Sequence, residues 1–179
     1  MSIRARVGGS AVDLSIDVGF GDAVVPPARR IKLRPFFAGD TPPCVYAYSL
    51  EPALAEKIET VLARFPAIRH RLKDILNVIT LAATESFDGA SLADSLRATM
   101  ERRATAPDAC VLDDLRLELR GRTWLTDWAM MRRDKAVTCG EALHDAIDRF
   151  DAFVRPLLTA IAIGSSPGHW KPGGPWSAA

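Results

Sequence analysis

The hydrophobic positions of this chain change period once, near residue 49, and the change divides it. Val12, Leu14, Ile16 and Val18 alternate with Asp13, Ser15, Asp17 and Gly19. That period of two predicts a strand with one apolar face, its polar face carrying Asp13 and Asp17. Ile3 to Val7 predicts the preceding hairpin arm, turned at Gly8-Gly9-Ser10. Pro26-Pro27 breaks the run, Ile31 to Arg34 resumes it, and Pro42-Pro43 breaks it again before Val45 to Tyr48. Residues 1–48 therefore read as three or four short strands in a small antiparallel or mixed sheet.

From Ser49 onward the spacing is helical. Ser49 is placed as an N-cap, Pro52 fits the first turn, and Leu54, Ile58, Val61 and Leu62 form one apolar stripe. After Pro66 a second helix runs through Ile68, Leu72, Ile75, Leu76, Ile79 and Ala83. Asp88-Gly89-Ala90 turns the chain, and Ser91 is the predicted cap of a third helix with Leu92, Leu96 and Met100 inward. Val111 to Leu119 fits either a short helix or an alternating strand, and a helix follows around Thr123 to Arg132. Thr138-Cys139-Gly140-Glu141 has the spacing of a capping box and opens a long helix through Leu143, Ile147, Phe150, Val154, Leu157 and Ile161. After Gly164 the composition turns to Gly, Pro, Ser and Trp, which predicts a disordered tail. The expected fold class is α+β: a partial sheet (1–48), a helical domain (49–163) and a loose tail (164–179).

Composition changes this picture little. With 179 residues and 48% hydrophobic content, the chain can bury a real core. Its 23 basic and 22 acidic residues give a net charge of +1, so nucleic-acid binding has no global electrostatic support and must come from local patches. Cys44, Cys110 and Cys139 are odd in number and widely spaced, with no metal-type pair, which suits a reduced, cytoplasmic setting. There is no apolar leader and no run near the roughly 20 apolar residues of a membrane span.

Candidate chemistry lies in three places. Asp17, with Asp13 on the same strand face, can offer a hard oxygen ligand to a divalent metal, or can face water. Lys57 can meet phosphate as a point charge, or pair with Glu56 or Glu59 on the polar side of its helix. Arg69, His70, Arg71, Lys73 and Asp74 form a denser group. On a helix, His70 and Asp74 share a face, as do Arg71 and Asp74. The group reads equally as a phosphate-binding cluster with an orienting acid or as a solvated face. His144 and His169 are too isolated for ligation, and Trp124 and Trp128 read as a packing stripe.

A longer pattern joins these residues. Ile16-Asp17-Val18-Gly19-Phe20-Gly21-Asp22 is similar to the third-carboxylate strand of the AbiEii/AbiGii nucleotidyltransferase toxins, the toxin halves of type IV toxin–antitoxin, or abortive-infection, systems. The resemblance continues through Ala47-Tyr48-Ser49-Leu50-Glu51, Ala55-Glu56-Lys57-Ile58-Glu59 and Arg71-Leu72-Lys73-Asp74. It resumes at Phe87-Asp88-Gly89-Ala90-Ser91-Leu92 and ends at Arg97-Ala98-Thr99-Met100-Glu101-Arg102-Arg103, in consistent order over residues 3–104. It implies a polymerase-β-like nucleotidyltransferase core with a helical C-terminal half, using a nucleoside triphosphate and Mg²⁺, with tRNA as acceptor for some members. By this resemblance Asp17 is a metal ligand, Lys57 a nucleotide-phosphate contact, Asp74 a catalytic or orienting acid, and Arg71 and Lys73 secondary phosphate contacts.

The family's Gly-Ser turn and alternating aspartate pair do not occur in this sequence, because no Asp-x-Asp follows Gly8-Gly9-Ser10. Asn77 stands where the family usually has an acid, and Ile75-Leu76 replace an aromatic. The resemblance thus covers the C-terminal portion of such an enzyme and implies a truncated, weakly active or inactive transferase. The alternative is a non-catalytic binding protein that engages an antitoxin, an RNA or a complementary transferase chain.

Overall fold

The computed structural model describes residues 2–134 and 142–177. Its N-terminal part holds two separate hairpins. Strands β1 (Ser2–Val7) and β2 (Ser10–Ser15) pair antiparallel with Ile3 opposite Leu14, turned at Gly8-Gly9 as the sequence predicts. Strands β3 (Arg29–Lys32) and β4 (Cys44–Ala47) form the second, with Arg30 opposite Tyr46. The hairpins do not pair with each other, so the single small sheet predicted for this region resolves into two ribbons. The predicted apolar face is not buried either, since every residue of β2 is exposed.

The helical part follows the apolar spacing closely. It contains α1 (Leu50–Arg64), α2 (Leu72–Thr84), α3 (Gly89–Arg103), α4 (Cys110–Glu118), α5 (Arg122–Asp134) and α6 (Leu143–Ile163). Helix α1 packs on α2 and α3, and α6 packs on α2, α3 and α4. Their inward stripes meet in one core built on Leu54, Ile58, Ile75, Leu96, Phe150 and Phe153, all fully buried. Interdigitated packing of this kind supplies most helical stability, because propensity alone is weak. The region open to either reading is helical, as α4, and its polar side docks on α6. Arg155 bridges Asp113 at 2.7 Å and Asp151 at 2.8 Å, while Arg116 reaches Asp151 at 2.9 Å.

Two caps differ from expectation. Ser49 is the N-cap of α1, but its side chain makes no capping bond. At α3 the cap is Asp88, whose Oδ1 accepts from the Ser91 N–H at 2.8 Å; Ser91 is the capped residue, not the cap. The capping box at Thr138-Glu141 lies outside the described residues.

The C-terminal segment departs furthest from prediction. Instead of a disordered tail, β6 (His169–Trp170) and β7 (Trp176–Ser177) form a three-stranded sheet with β5 (Phe87–Asp88), in the order β5-β6-β7. The Trp170 ring meets Phe153 edge-on at 4.8 Å, and Trp176 stacks on Phe153 at 5.4 Å. Trp170 Nε1–H and Gly173 N–H both donate to the Ala82 carbonyl, at 2.6 and 2.9 Å. Ala82 sits in the last turn of α2, where carbonyls have no partner within the helix. Two indoles that bury large areas, each with its N–H satisfied, order a segment whose average composition favours disorder. Gly89 makes this docking possible: its N–H donates to the Gly168 carbonyl at 2.7 Å, and a Cβ there would collide with the same carbonyl.

Candidate functional site

The structure collects the candidate residues into two groups rather than one. The first joins α1 to the start of α2. Asp74, in the first turn of α2, is only 5% exposed. Its Oδ1 lies 3.7 Å from Lys57 Nζ and its Oδ2 3.6 Å from Arg71 Nη1. An acid in the first turn of a helix also faces the positive end of the backbone dipoles. Lys57 is half-buried and pairs with Asp74, whereas the alternatives on its own helix, Glu56 and Glu59, pair with a different cation. Both distances are those of ion pairs rather than hydrogen bonds, and Asp74 Oδ2 is a buried acceptor that receives no hydrogen bond from the protein. Lys73 stands apart: it is exposed and has no ion pair among the described residues. Residues 69–71 form a single 3-10 turn before α2; His70 there is exposed, and Arg69 is drawn away to Asp127 of α5 at 2.8 Å.

The second group surrounds Asp17. Strand β2 ends at Ser15, so Asp17 does not stand on a strand as predicted but in the exposed stretch that follows. Asp17 lines a cavity of about 670 Å³ together with Asp22, Tyr48, Glu56, Arg102 and Arg103. None of Lys57, Arg71, Lys73 and Asp74 lines it. The carboxylate and the phosphate-type cations of the sequence reading are therefore not in one pocket.

The organising residue of the second group is Arg103, which the motif reading left without a role. Its guanidinium contacts Glu59 at 2.7 Å, Thr60 at 3.2 Å, Glu56 at 3.2 Å and Asp22 at 3.3 Å. Burial alone would lower its pKa, but hydrogen bonds to Glu59, Asp22 and Glu56 outweigh that and hold it above the ordinary arginine value. Glu59 is almost fully buried and is completed by the Thr105 hydroxyl at 2.6 Å. Next to it, Arg102 Nε donates to the Gly21 carbonyl at 2.7 Å. Gly21 has φ +78, a left-handed conformation that favours glycine. Arg102 and Arg103 thereby fasten the stretch after β2 to α1 and α3. Their position at the end of the matched stretch Arg97-Arg103 was visible in the sequence; their partners more than forty residues away were not.

The donors do not fit a polymetal site. Among the described residues no three His, Cys, Asp or Glu side chains converge. The two other carboxylates that line the cavity of Asp17, Asp22 and Glu56, are both held by the Arg103 cation. A guanidinium among the prospective ligands opposes a divalent ion.

Comparison with known families decides the affiliation. The family described as "Nucleotidyl transferase AbiEii toxin, Type IV TA system" matches residues 1–155. The chain belongs to that family. It is thus a toxin of a type IV toxin–antitoxin system, with a cognate antitoxin as its implied partner, in a family whose members generally use a nucleoside triphosphate and a divalent metal. The α+β architecture agrees with the fold class the sequence predicts. Searches of curated proteins and of solved structures returned no match. No helix among the described residues of this AbiEii chain is long and apolar enough to cross a membrane.

Proposed function

We propose that this AbiEii chain takes part in nucleotidyl transfer through its helical half, with Lys57 as the main phosphate contact. In such a transfer an acceptor hydroxyl forms a bond to the α-phosphorus and gives up its proton, while the bond to pyrophosphate breaks. The observation that carries the reading is the Lys57–Asp74–Arg71 group. Asp74 is buried, sits between two cations, and retains an unused acceptor oxygen. In that arrangement Asp74 orients Lys57 and Arg71 toward the triphosphate, and the exposed Lys73 adds a peripheral charge. Asp17 is the metal-binding carboxylate of this reading. Because its companions are not a fitting donor set, the chain by itself transfers weakly or not at all to an RNA or protein hydroxyl.

Incubation with labelled triphosphates, Mg²⁺ and tRNA tests this. The expected outcome is little or no label on either macromolecule, together with triphosphate binding that Lys57→Ala abolishes. Robust labelling lost in Asp17→Ala would overturn the prediction of weak transfer. A second reading, a non-catalytic binding protein, is favoured by one observation: Ile3, Val12, Leu14, Ile16 and Val18 are left 39–54% exposed on and after the first hairpin. Capture of the cognate antitoxin or a complementary transferase chain, without any triphosphate binding, would select it.

A further inference from the structure

The second hairpin carries a charge pattern that the chain as a whole conceals. Between Ala23 and Leu50 there are four basic residues, Arg29, Arg30, Lys32 and Arg34, and one acid, Asp40. The complete chain, by contrast, is nearly neutral at +1. Pairing register sorts these side chains. Arg30 lies opposite Tyr46 and Lys32 opposite Cys44, so these four share one face. Ile31 and Ala47, on the other face, are the partly covered positions of the ribbon, which leaves the Arg30–Tyr46 face turned to solvent.

Among the described residues the side chains of Arg30, Lys32 and Arg34 have no ion-pair or hydrogen-bond partner, and all three residues are exposed. Several arginines elsewhere are held in ion pairs, among them Arg4, Arg69, Arg97, Arg103, Arg116 and Arg155. Aromatic rings accompany the unpaired cations. Tyr46 is 77% exposed, and beyond β3 Phe36 and Phe37 are 98% and 74% exposed. The Leu33 N–H continues the ladder to the Pro43 carbonyl at 2.8 Å, keeping Arg34 and the phenylalanines at the end of the same ribbon.

We propose that the β3–β4 ribbon binds single-stranded RNA, with Arg30, Lys32 and Arg34 on the phosphates and Tyr46, Phe36 and Phe37 stacking on bases. Alternate residues along a strand stand about 6.7 Å apart, a spacing on the scale of one nucleotide step, so successive cations can meet successive phosphates. Exposed rings beside unpaired cations suit a flexible polyanion with free π-faces. They suit an acidic peptide less, because a peptide would satisfy the charges and leave the rings in water. Duplex RNA has its base faces already stacked and offers nothing to Tyr46. The proposal goes beyond the transfer reading and requires neither triphosphate nor metal.

Fluorescence anisotropy with a labelled oligouridylate, in the absence of triphosphate and divalent ions, tests it on the full chain. Binding should weaken with salt at a logarithmic slope of roughly −2, from about −0.7 per phosphate for three contacts. The double substitution Arg30→Glu, Lys32→Glu should lower affinity at least tenfold and flatten the slope. Tyr46→Ala should lower it by about tenfold with the slope unchanged, and Tyr46→Phe should restore it. All these positions are exposed, so unchanged thermal midpoints accompany the effects. Lys57→Ala should leave RNA binding intact, which separates this surface from the transfer site. The proposal is overturned by absence of binding at low salt, by equal affinity for the oligouridylate–oligoadenylate duplex, or by variants that bind RNA normally. Variants that keep RNA binding but lose the cognate antitoxin would reassign the face to a protein partner.

Discussion

The hairpin region and the helical region carry equally regular hydrophobic patterns, yet only one of them becomes a core. In the helices, Leu54, Ile58 and Val61 are fully buried, because α1 lies against both α2 and α3. On and just after the first hairpin, Leu14 is 48% and Ile16 44% exposed, although they alternate with polar residues as strictly as any buried strand. A two-stranded ribbon has no second layer of its own, and its apolar face stays open unless something else covers it. Periodicity reports which side chains share a face. Whether that face is buried depends on what packs against it. The two candidate groups divide the same way: Lys57 and Asp74 are fixed by packed helices with Arg71 in the turn between them, whereas Asp17 sits in a connecting stretch held by two arginines.

The contrast can be broken most forcefully at Phe153, the ring on which both C-terminal tryptophans rest. Phe153→Ala should cost about 3–5 kcal/mol in urea unfolding followed by tryptophan fluorescence. Leu14→Ser should stay within about 0.5 kcal/mol in the same experiment, as a surface change does. Equal losses at the two sites would show that the hairpin is as tightly packed as the helices. A smaller effect is expected from Glu59→Ala, which leaves a half-buried arginine short of its shortest partner and should cost about 1–3 kcal/mol. Because Arg103 also holds Asp22, that variant should speed hydrogen exchange in the stretch around Asp22 and not at the Asp74 turn.

Smaller still is a gain. Ala104 caps α3 with φ 54, a left-handed conformation that favours glycine, so Ala104→Gly should stabilise by about 0.5–1 kcal/mol, read as a raised thermal midpoint. The smallest effect belongs to the exposed hairpin. The hydrogen bond from Arg4 holds the Asp13 carboxyl below its ordinary value. A depressed acid contributes stability that is present above the unfolded-state pKa and lost as pH falls through the lowered folded value. An NMR titration of Asp13 should therefore show its midpoint on the acid side of a free aspartate, and Arg4→Ala should return it to the ordinary range.

Much of the helical fold was legible from spacing alone, and so was the pairing of Arg71 with Asp74, because three residues on a helix is a fixed distance. The choice of Asp74 over Glu56 or Glu59 as the partner of Lys57 was not legible. The sequence offers Glu56 and Glu59 as neighbours along α1, whereas only the packing of α1 on α2 brings Asp74 to Lys57. The role of Arg103 was equally hidden, since Asp22 and Glu59 approach it from separate elements. The C-terminal tail misled for a different reason. Composition averages over Trp170 and Trp176, while their burial depends on a waiting Phe153 ring and a helix-end carbonyl at Ala82.

By itself the sequence determined the family, five of the six helical stripes, the hairpin turn at Gly8-Gly9 and the unbalanced charge of residues 23–50. Each is a property of neighbours along the chain or of motif order, which local geometry carries without tertiary help. Tertiary structure alone decided that Lys57 pairs with Asp74 and does not line the cavity of Asp17, that Arg103 ties the intervening stretch down, and that the tryptophan tail closes the core. Those outcomes rest on contacts between residues far apart in sequence, and their energies depend on burial and mutual orientation, quantities that exist only once the helices have packed.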